Sequence, residues 1–321
     1  MNTLTQYEPQ QLTQSLTAAG LQSLLPDWAA DLQQRVHAQE ISPDTANGYQ
    51  RGATRFFSWL ADQQPSANVI RSWKADLLEA GKRPASVNAW LAGVRSFFSW
   101  LTEIGHIPFN PTQAIKGATR KGTKKRHTRQ ALTDNEARRL LAQPDRTTKA
   151  GKRDYAILAL MLYTAARTIE VHRADLADLI TQGGILVLLV QGKGHTEKDD
   201  MLVLVGPAEN AIRDWLAVRG TEPGKALFTS LSNKSHGERL SRSALREIIK
   251  GYFTLAGIHG QDKTTHSLRH TAISAAIRHG ASAEKVRGMS RHASLDTLMI
   301  YYHETDRIAD PAENYIDYGV S

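Results

Sequence analysis

The sequence predicts a mainly α-helical protein with a small β-sheet (α+β), divided into two folded parts by a basic connecting segment. Three observations carry this. Apolar residues recur at helical spacing through most of the chain. One pair of short apolar runs, GILVLLV and MLVLV, flanks the turn-forming stretch QGKGHTEKDD, which is the pattern of a β-hairpin. The stretch KGATRKGTKKRHTR, residues 116–129, holds seven basic residues, no acid and no apolar periodicity, so it is expected to be an extended linker.

The elements follow in chain order. Residues 1–20, rich in Gln and Thr, form a polar extension. A helix is expected near 27–38. Ser42 followed by Pro43 makes a cap and first-turn pair, after which Tyr49, Ala53, Phe56, Phe57 and Leu60 recur at helical spacing. Another helix is expected near 67–80, and a further one carries Trp90, Leu91, Val94, Phe97, Phe98 and Leu101. The pentapeptide FFSWL occurs twice, at 56–60 and 97–101, and reads as two similar amphipathic core helices rather than a functional repeat. Residues 21–115 thus make a domain of four or five helices, followed by the linker, 116–131. From residue 132 on, Thr133 caps a helix with Glu136 at its third position, and RDYAILALMLYTAA is a buried helix ending near Arg167. The hairpin presents Lys193 at or near its turn. Helices are expected at about 207–218 and 241–256. The run THSLRHTAISAAIRHG places His266 and Arg269 on one face, three apart, and SAEKVRGMS leads into His292.

Composition bounds the function. With 321 residues the chain can form two domains, each burying its own core. It has no cysteine, which excludes a disulfide framework or a thiolate metal site. No apolar run has membrane-spanning length and the polar start MNTLTQYEPQ carries no signal pattern, so a cytoplasmic protein of bacterial, phage or mobile-element origin, with no membrane partner, is expected. The net charge is +8, which suits a polyanionic partner. Residues 1–115 hold eight basic against nine acidic residues, so the excess begins at the linker. Lys116, Arg120, Lys121, Lys124, Lys125, Arg126 and Arg129 form either a solvated or nuclear-targeting-like basic run or, with a nucleic-acid partner, a stretch expected to lie against phosphates, with strongly salt-dependent and sequence-indifferent binding.

The second half carries an ordered set of polar residues: Arg167 in TAARTIEV, Lys193 in QGKGHTE, His266 and Arg269 in HSLRH, and His292 and Tyr301 in SRHASLDTLMIYYH. These types fit the cutting of a phosphodiester by a tyrosine. A tyrosine hydroxyl has an unperturbed pKa of about 10 and needs nearby positive charge or a base to attack. Charge that builds on the phosphate oxygens calls for bidentate donors, which arginine supplies and lysine does not. Arg167 and Arg269 are the expected clamps. Lys193 is the expected general acid for the departing 5′ oxygen. His266 and His292 remain for proton handling and phosphate hydrogen bonds, and the sequence does not divide these roles between them. Singly, each has an ordinary alternative: Arg167 could form a surface pair with Glu170, the histidines could be interior residues, and Tyr302 could compete with Tyr301.

Order and spacing together resemble the tyrosine recombinases, the phage integrase and Xer-like family. In that family the nucleophile sits nine residues after the second histidine, and Tyr301 is nine after His292. The resemblance implies an N-terminal helical core-binding domain (21–115, SAM-like) that grips duplex DNA and a catalytic domain (132–321) whose tail, about 305–321, contacts a neighbouring subunit. It implies strand exchange through a 3′-phosphotyrosyl linkage and a Holliday junction, by a homotetramer with a dimer on each inverted-repeat core site and scope for an accessory DNA-binding protein. No cofactor, ATP or metal is expected, since the linkage conserves bond energy and the arginines take the charge-stabilising role. Glu170 matches an acidic family position and is expected to orient Arg167. Two positions depart from the pattern: the family's glycines before the first arginine and before the second histidine are Ala165 and Arg291 here. The rival readings are a type IB topoisomerase-like nicking-closing enzyme and a catalytically inactive DNA-binding regulator.

Overall fold

The structure is a computed structural model that describes residues 17–119, 130–192, 197–220, 224–260, 262–292, 298, 299 and 301. Lys193, the linker residues Arg120, Lys121, Lys124, Lys125, Arg126 and Arg129, the first sixteen residues and the tail beyond Tyr301 lie outside the described residues. The chain divides into two compact units, Met1–Thr123 and Lys124–Ser321.

The first unit contains α1 (Ala18–Gln22), α2 (Leu25–His37), α3 (Pro43–Leu60), α4 (Ala67–Glu79) and α5 (Pro84–Glu103). Start signals are local. The Ser42 hydroxyl accepts the Thr45 N–H at 3.1 Å with Pro43 in the first turn, and Ser66 caps α4 through Val69 N–H at 3.3 Å. The two FFSWL stretches pack on each other: the Phe57 and Phe97 rings meet edge to face with centroids 5.2 Å apart, and Phe56 meets Phe98 at 6.3 Å. Their helices approach closely at two glycines. A Cβ added at Gly52 would lie 2.4 Å from the Trp90 carbonyl oxygen, and one at Gly93 would lie 2.2 Å from the Tyr49 carbonyl oxygen. Because backbone cannot swing aside as a side chain can, Gly52→Ala or Gly93→Ala is expected to push α3 and α5 apart and cost about 3 kcal/mol. Thermal melting checks this, and an unchanged melting temperature would refute the close crossing.

The first unit extends past α5. Ile115 and Ala118 are buried in its core, and the Asn88 amide clasps Ala118, accepting its N–H at 2.7 Å and donating to its carbonyl at 2.9 Å. The segment through Thr119 therefore lies on this unit, where an extended linker was expected from Lys116 onward. Lys116 itself is exposed, and its carbonyl accepts from Lys74 at 2.9 Å. On the α3 face, a groove of about 940 Å³ is lined by Asn47, Arg51, Thr54, Arg55 and Trp90, with the Arg55 guanidinium 4.3 Å above the Trp90 ring.

The second unit contains α6 (Asp134–Leu141), α7 (Lys149–Thr164), α8 (Thr168–Arg173), a 3-10 turn (Leu176–Asp178), strands β1 (Leu179–Gln182), β2 (Ile185–Val190) and β3 (Asp200–Leu204), then α9 (Pro207–Arg219), α10 (Arg242–Leu255), α11 (Thr265–Arg278) and α12 (Ala283–Ser290). The expected capping box forms: Thr133 Oγ1 accepts the Glu136 N–H at 3.2 Å and the Glu136 carboxylate accepts the Thr133 N–H at 2.9 Å. Helix α7 is the buried centre, packed among β2, β3, α9 and α10 through residues such as Leu188, Leu202, Trp215 and Ile249. The sheet is antiparallel in the order β1-β2-β3, so the hairpin expected from the sequence gains a third strand. At the far end of the β2–β3 connection, Lys198 is tied to Asp175 at 3.0 Å and to Asp178. Among the described residues no helix is long and apolar enough to cross a membrane.

Candidate active site

Arg167, His266, Arg269, His292 and Tyr301 meet where the α7–α8 junction, the start of α11 and the end of α12 come together. Helix α7 stops at Ala165, whose φ of 54° is left-handed. The turn brings Arg167 to the extended cap position of α8, and Glu170, at the third helical position, reaches back. Its carboxylate accepts the Arg167 backbone N–H at 2.7 Å and the Arg167 Nη1 at 2.7 Å. Glu170 is fully buried as a side chain, so a single carboxylate fixes both the backbone and the head group of Arg167.

Helix α11 carries three site residues. Arg269 is 2% exposed, and its two terminal nitrogens donate to the carbonyls of Ala165, at 2.6 Å, and Ser290. It therefore links the α7–α8 turn to the end of α12. His266, half-buried, and His270, buried, stand one helical turn apart, with rings edge to face at 4.8 Å. Helix α12 ends at Arg291, which again adopts a left-handed φ, of 53°. His292 follows, its Nδ1 at 3.2 Å from the Ser290 hydroxyl. The two left-handed turns fall at the positions where glycine was expected. An L-residue pays about 1–2 kcal/mol for such a conformation, so the fold keeps the glycine-type geometry at Ala165 and Arg291 against a local cost.

Tyr301 is 3% exposed and packs with Ala165, Ala272, Ile273, Val286 and Leu298 in a small separate core. Its hydroxyl is 2.6 Å from His270 Nδ1, and its ring stacks on His292 at 6.0 Å. His270 escaped the sequence reading although it closes the HSLRH stretch. Its spacing of four from His266, one helical turn on, is the signal in the sequence that marks it. Arg291 was likewise read only as a departure. Its guanidinium in fact donates to Glu170 Oε2 at 2.8 Å, to Met289 O at 2.6 Å and to Ala165 O at 3.3 Å.

Among the described residues the cluster is electrostatically unbalanced. Two guanidiniums, of Arg167 and Arg291, pair with one carboxylate, Glu170, and the charge of that carboxylate also reaches Arg269. Burial first, then the charges of Arg167 and Arg291, push Arg269 down to about 9, and burial likewise lowers Arg291. Excess buried positive charge is expensive unless an anion completes it. Beside the cluster opens a pocket of about 1050 Å³ lined by Arg167, Thr168, Arg246, Lys250, Lys263 and His266. Arg246 and Lys250, exposed and four apart on α10, add basic wall that the sequence reading did not single out.

Residues 130–307 match the sequence model of the phage integrase family, and residues 28–105 that of the phage integrase N-terminal SAM-like domain. The chain is 29% identical over 309 residues to a tyrosine recombinase of Synechococcus elongatus, covering 90% of this chain and 94% of the relative. It is 31% identical over 278 residues to the tyrosine recombinase XerD of Lacticaseibacillus casei, covering 82% and 88%. Among solved structures it resembles the XerH site-specific recombinase bound to palindromic difH substrate, with a TM-score of 0.69 at 17% identity over 97% of this chain and 90% of that one. It also resembles the lambda integrase tetramer bound to a Holliday junction, with a TM-score of 0.67 at 15% identity over 91% and 81%. The chain belongs to the phage integrase family and is a tyrosine recombinase, an enzyme of site-specific DNA recombination.

Proposed function

We propose that this recombinase cuts duplex DNA with Tyr301. The observation that carries the reading is the Tyr301 hydroxyl held 2.6 Å from His270 Nδ1 beside a cluster that, among the described residues, holds three guanidiniums to one carboxylate. The phenolic oxygen attacks phosphorus and its proton passes to His270. The bond from phosphorus to the 5′ oxygen breaks, and that oxygen takes a proton from Lys193. The products are a 3′-phosphotyrosine and a free 5′ hydroxyl. Attack by the 5′ hydroxyl of the partner strand reverses these steps and frees the tyrosine. Arg167 and Arg269 hold the non-bridging oxygens as negative charge grows there, and such preorganised donors contribute most where charge develops. Glu170 keeps Arg167 aimed. His266 and His292 hydrogen-bond the phosphate.

Two protomers occupy an inverted-repeat core site, and two such sites pair in a tetramer that exchanges strands through a Holliday junction. The DNA complexes of the similar XerH and lambda integrase structures support this arrangement. The first unit's α3 groove and the linker basic residues, Lys116 among them, hold the duplex on either side of the cut. The reaction serves integration, excision or the resolution of joined replicons.

Single-turnover cleavage tests this, using a nicked duplex whose sequence the protein itself selects from a random pool. Denatured reactions in excess chelator are expected to retain protein joined to the 3′ end, mapping to Tyr301. Cleavage that stops in chelator, or attachment at another side chain, refutes the reading. Relaxation of supercoiled random DNA by monomers points instead to a nicking-closing enzyme. His270→Gln is expected to slow cleavage about 100-fold with DNA affinity within a few-fold of wild type, the range for loss of a proton acceptor. An unchanged rate would remove His270 from the proton path.

A further inference from the structure

The geometry points to Arg291 as a positioning residue for the strand-cutting reaction: a third guanidinium that clamps Glu170 and Ala165 and so holds Arg167, Arg269 and His292 in one arrangement. This rests on the reading of the cluster as a phosphate site served by Tyr301. The side chain is 4% exposed, although it stands at a helix end where an arginine would ordinarily extend into water. Two of the three acceptors its guanidinium serves are shared with a proposed site residue. Glu170 Oε2 accepts from Arg291 at 2.8 Å and also from the Arg167 backbone at 2.7 Å. The Ala165 carbonyl accepts from Arg291 at 3.3 Å and from Arg269 at 2.6 Å. The Arg291 carbonyl accepts from Arg167 Nη2 at 3.2 Å. Its third side-chain contact, with Met289 O at 2.6 Å, ties the same guanidinium to its own turn, the one that presents His292.

A planar fork with several donors can bridge such acceptors, and an ammonium group cannot reproduce it. The Arg291 Nε is buried and has no hydrogen-bond partner among the described residues, so the group is held there without all of its donors satisfied. The backbone gives the same indication. A left-handed φ of 53° is a glycine conformation, and this chain keeps arginine in it. Local backbone preference does not explain the choice, whereas the shared contacts do.

The test uses the full chain and a nicked duplex selected by the protein from a random-sequence pool. Arg291→Gly suits the left-handed backbone and removes the guanidinium together with its aliphatic stem. It is expected to melt within a few degrees of wild type, to bind the duplex within threefold, and to form the covalent product about 30-fold more slowly. Millimolar guanidinium ion is expected to restore part of that rate. Arg291→Lys, which keeps charge without the fork, is expected to fall between the two. A folded Arg291→Gly variant that cleaves within threefold of wild type overturns the proposal, as does a rate loss matched by an equal loss of DNA affinity. Should Arg291→Gly fail to fold, Arg291→Lys decides: cleavage at the wild-type rate overturns the clamp. Tyr301→Phe run beside them separates the two levels. Covalent product from that variant sinks the reading of the site itself, whereas its absence with a fully active Arg291→Gly sinks only the role of Arg291.

Discussion

Tyr301→Phe should leave a folded, DNA-binding protein that forms no covalent complex, a loss of about 10⁵-fold or more in cleavage, as expected when the sole nucleophile is removed. The substitution is clean because of the packing. A phenyl ring keeps the contacts with Ala165, Ile273, Val286 and Leu298 and loses only the hydroxyl at His270. Leaving the buried His270 nitrogen without that partner costs roughly 1–3 kcal/mol, small enough for a folded protein to be assayed. Circular dichroism and mobility-shift titration give the fold and binding controls, and denaturing gels of cleavage reactions give the result. Tyr302→Phe, in parallel, is expected to retain the covalent product. Loss in Tyr302→Phe and retention in Tyr301→Phe would reverse the assignment.

Arg269→Ala should lose about 10³-fold in cleavage, the upper range for one preorganised donor at a developing oxyanion, and should also lose stability. Both terminal nitrogens of Arg269 serve backbone carbonyls, of Ala165 and Ser290. Removing them takes that donor from the Ser290 carbonyl and leaves the Ala165 carbonyl with the longer 3.3 Å bond from Arg291, at roughly 1–3 kcal/mol for a buried acceptor left unpaired, partly offset by relief of the crowding with Arg167 and Arg291. Urea unfolding measures the second effect and single-turnover cleavage the first. Arg269→Lys retains charge but serves fewer acceptors, so it should recover less than a tenth of the wild-type rate. A pH signature accompanies this. Burial and the two neighbouring guanidiniums push Arg269 down to about 9. The protonated form is the one that binds phosphate, so the DNA affinity of the free protein should fall as pH rises through that value. A bound phosphate acts in the opposite sense and should carry the fall to higher pH in the complex. Equilibrium binding across pH 7 to 10.5 checks the direction.

Much of the helical architecture was legible because its signals are short in range. Ser42 with Pro43, and Thr133 with Glu136, each mark a helix start within four residues. The FFSWL repeats showed two core helices because the apolar spacing alone requires a buried stripe. What escaped was set at a distance. Strand β1 is four residues, mostly exposed, and becomes a strand only by pairing with β2. The Ala165 and Arg291 positions were readable as left-handed turns from the glycines expected there. That the Arg291 side chain returns to Glu170, 121 residues earlier, has no local sign. His270 was visible as a residue, but its role depends on where Tyr301 docks, which only the folded second unit determines.

The burial of Tyr301 within its own second unit has a consequence for how subunits share work. On the proposed reading, a nucleophile seated on the same polypeptide as Arg167, Arg269 and His270 acts on the phosphate that its own protomer holds. Mixing a protein that lacks the phenol with one that lacks a guanidinium is therefore expected not to rebuild a working centre, and complementation would count against the proposed reading. On that reading, coordination between neighbours acts on when each protomer cuts rather than on lending parts.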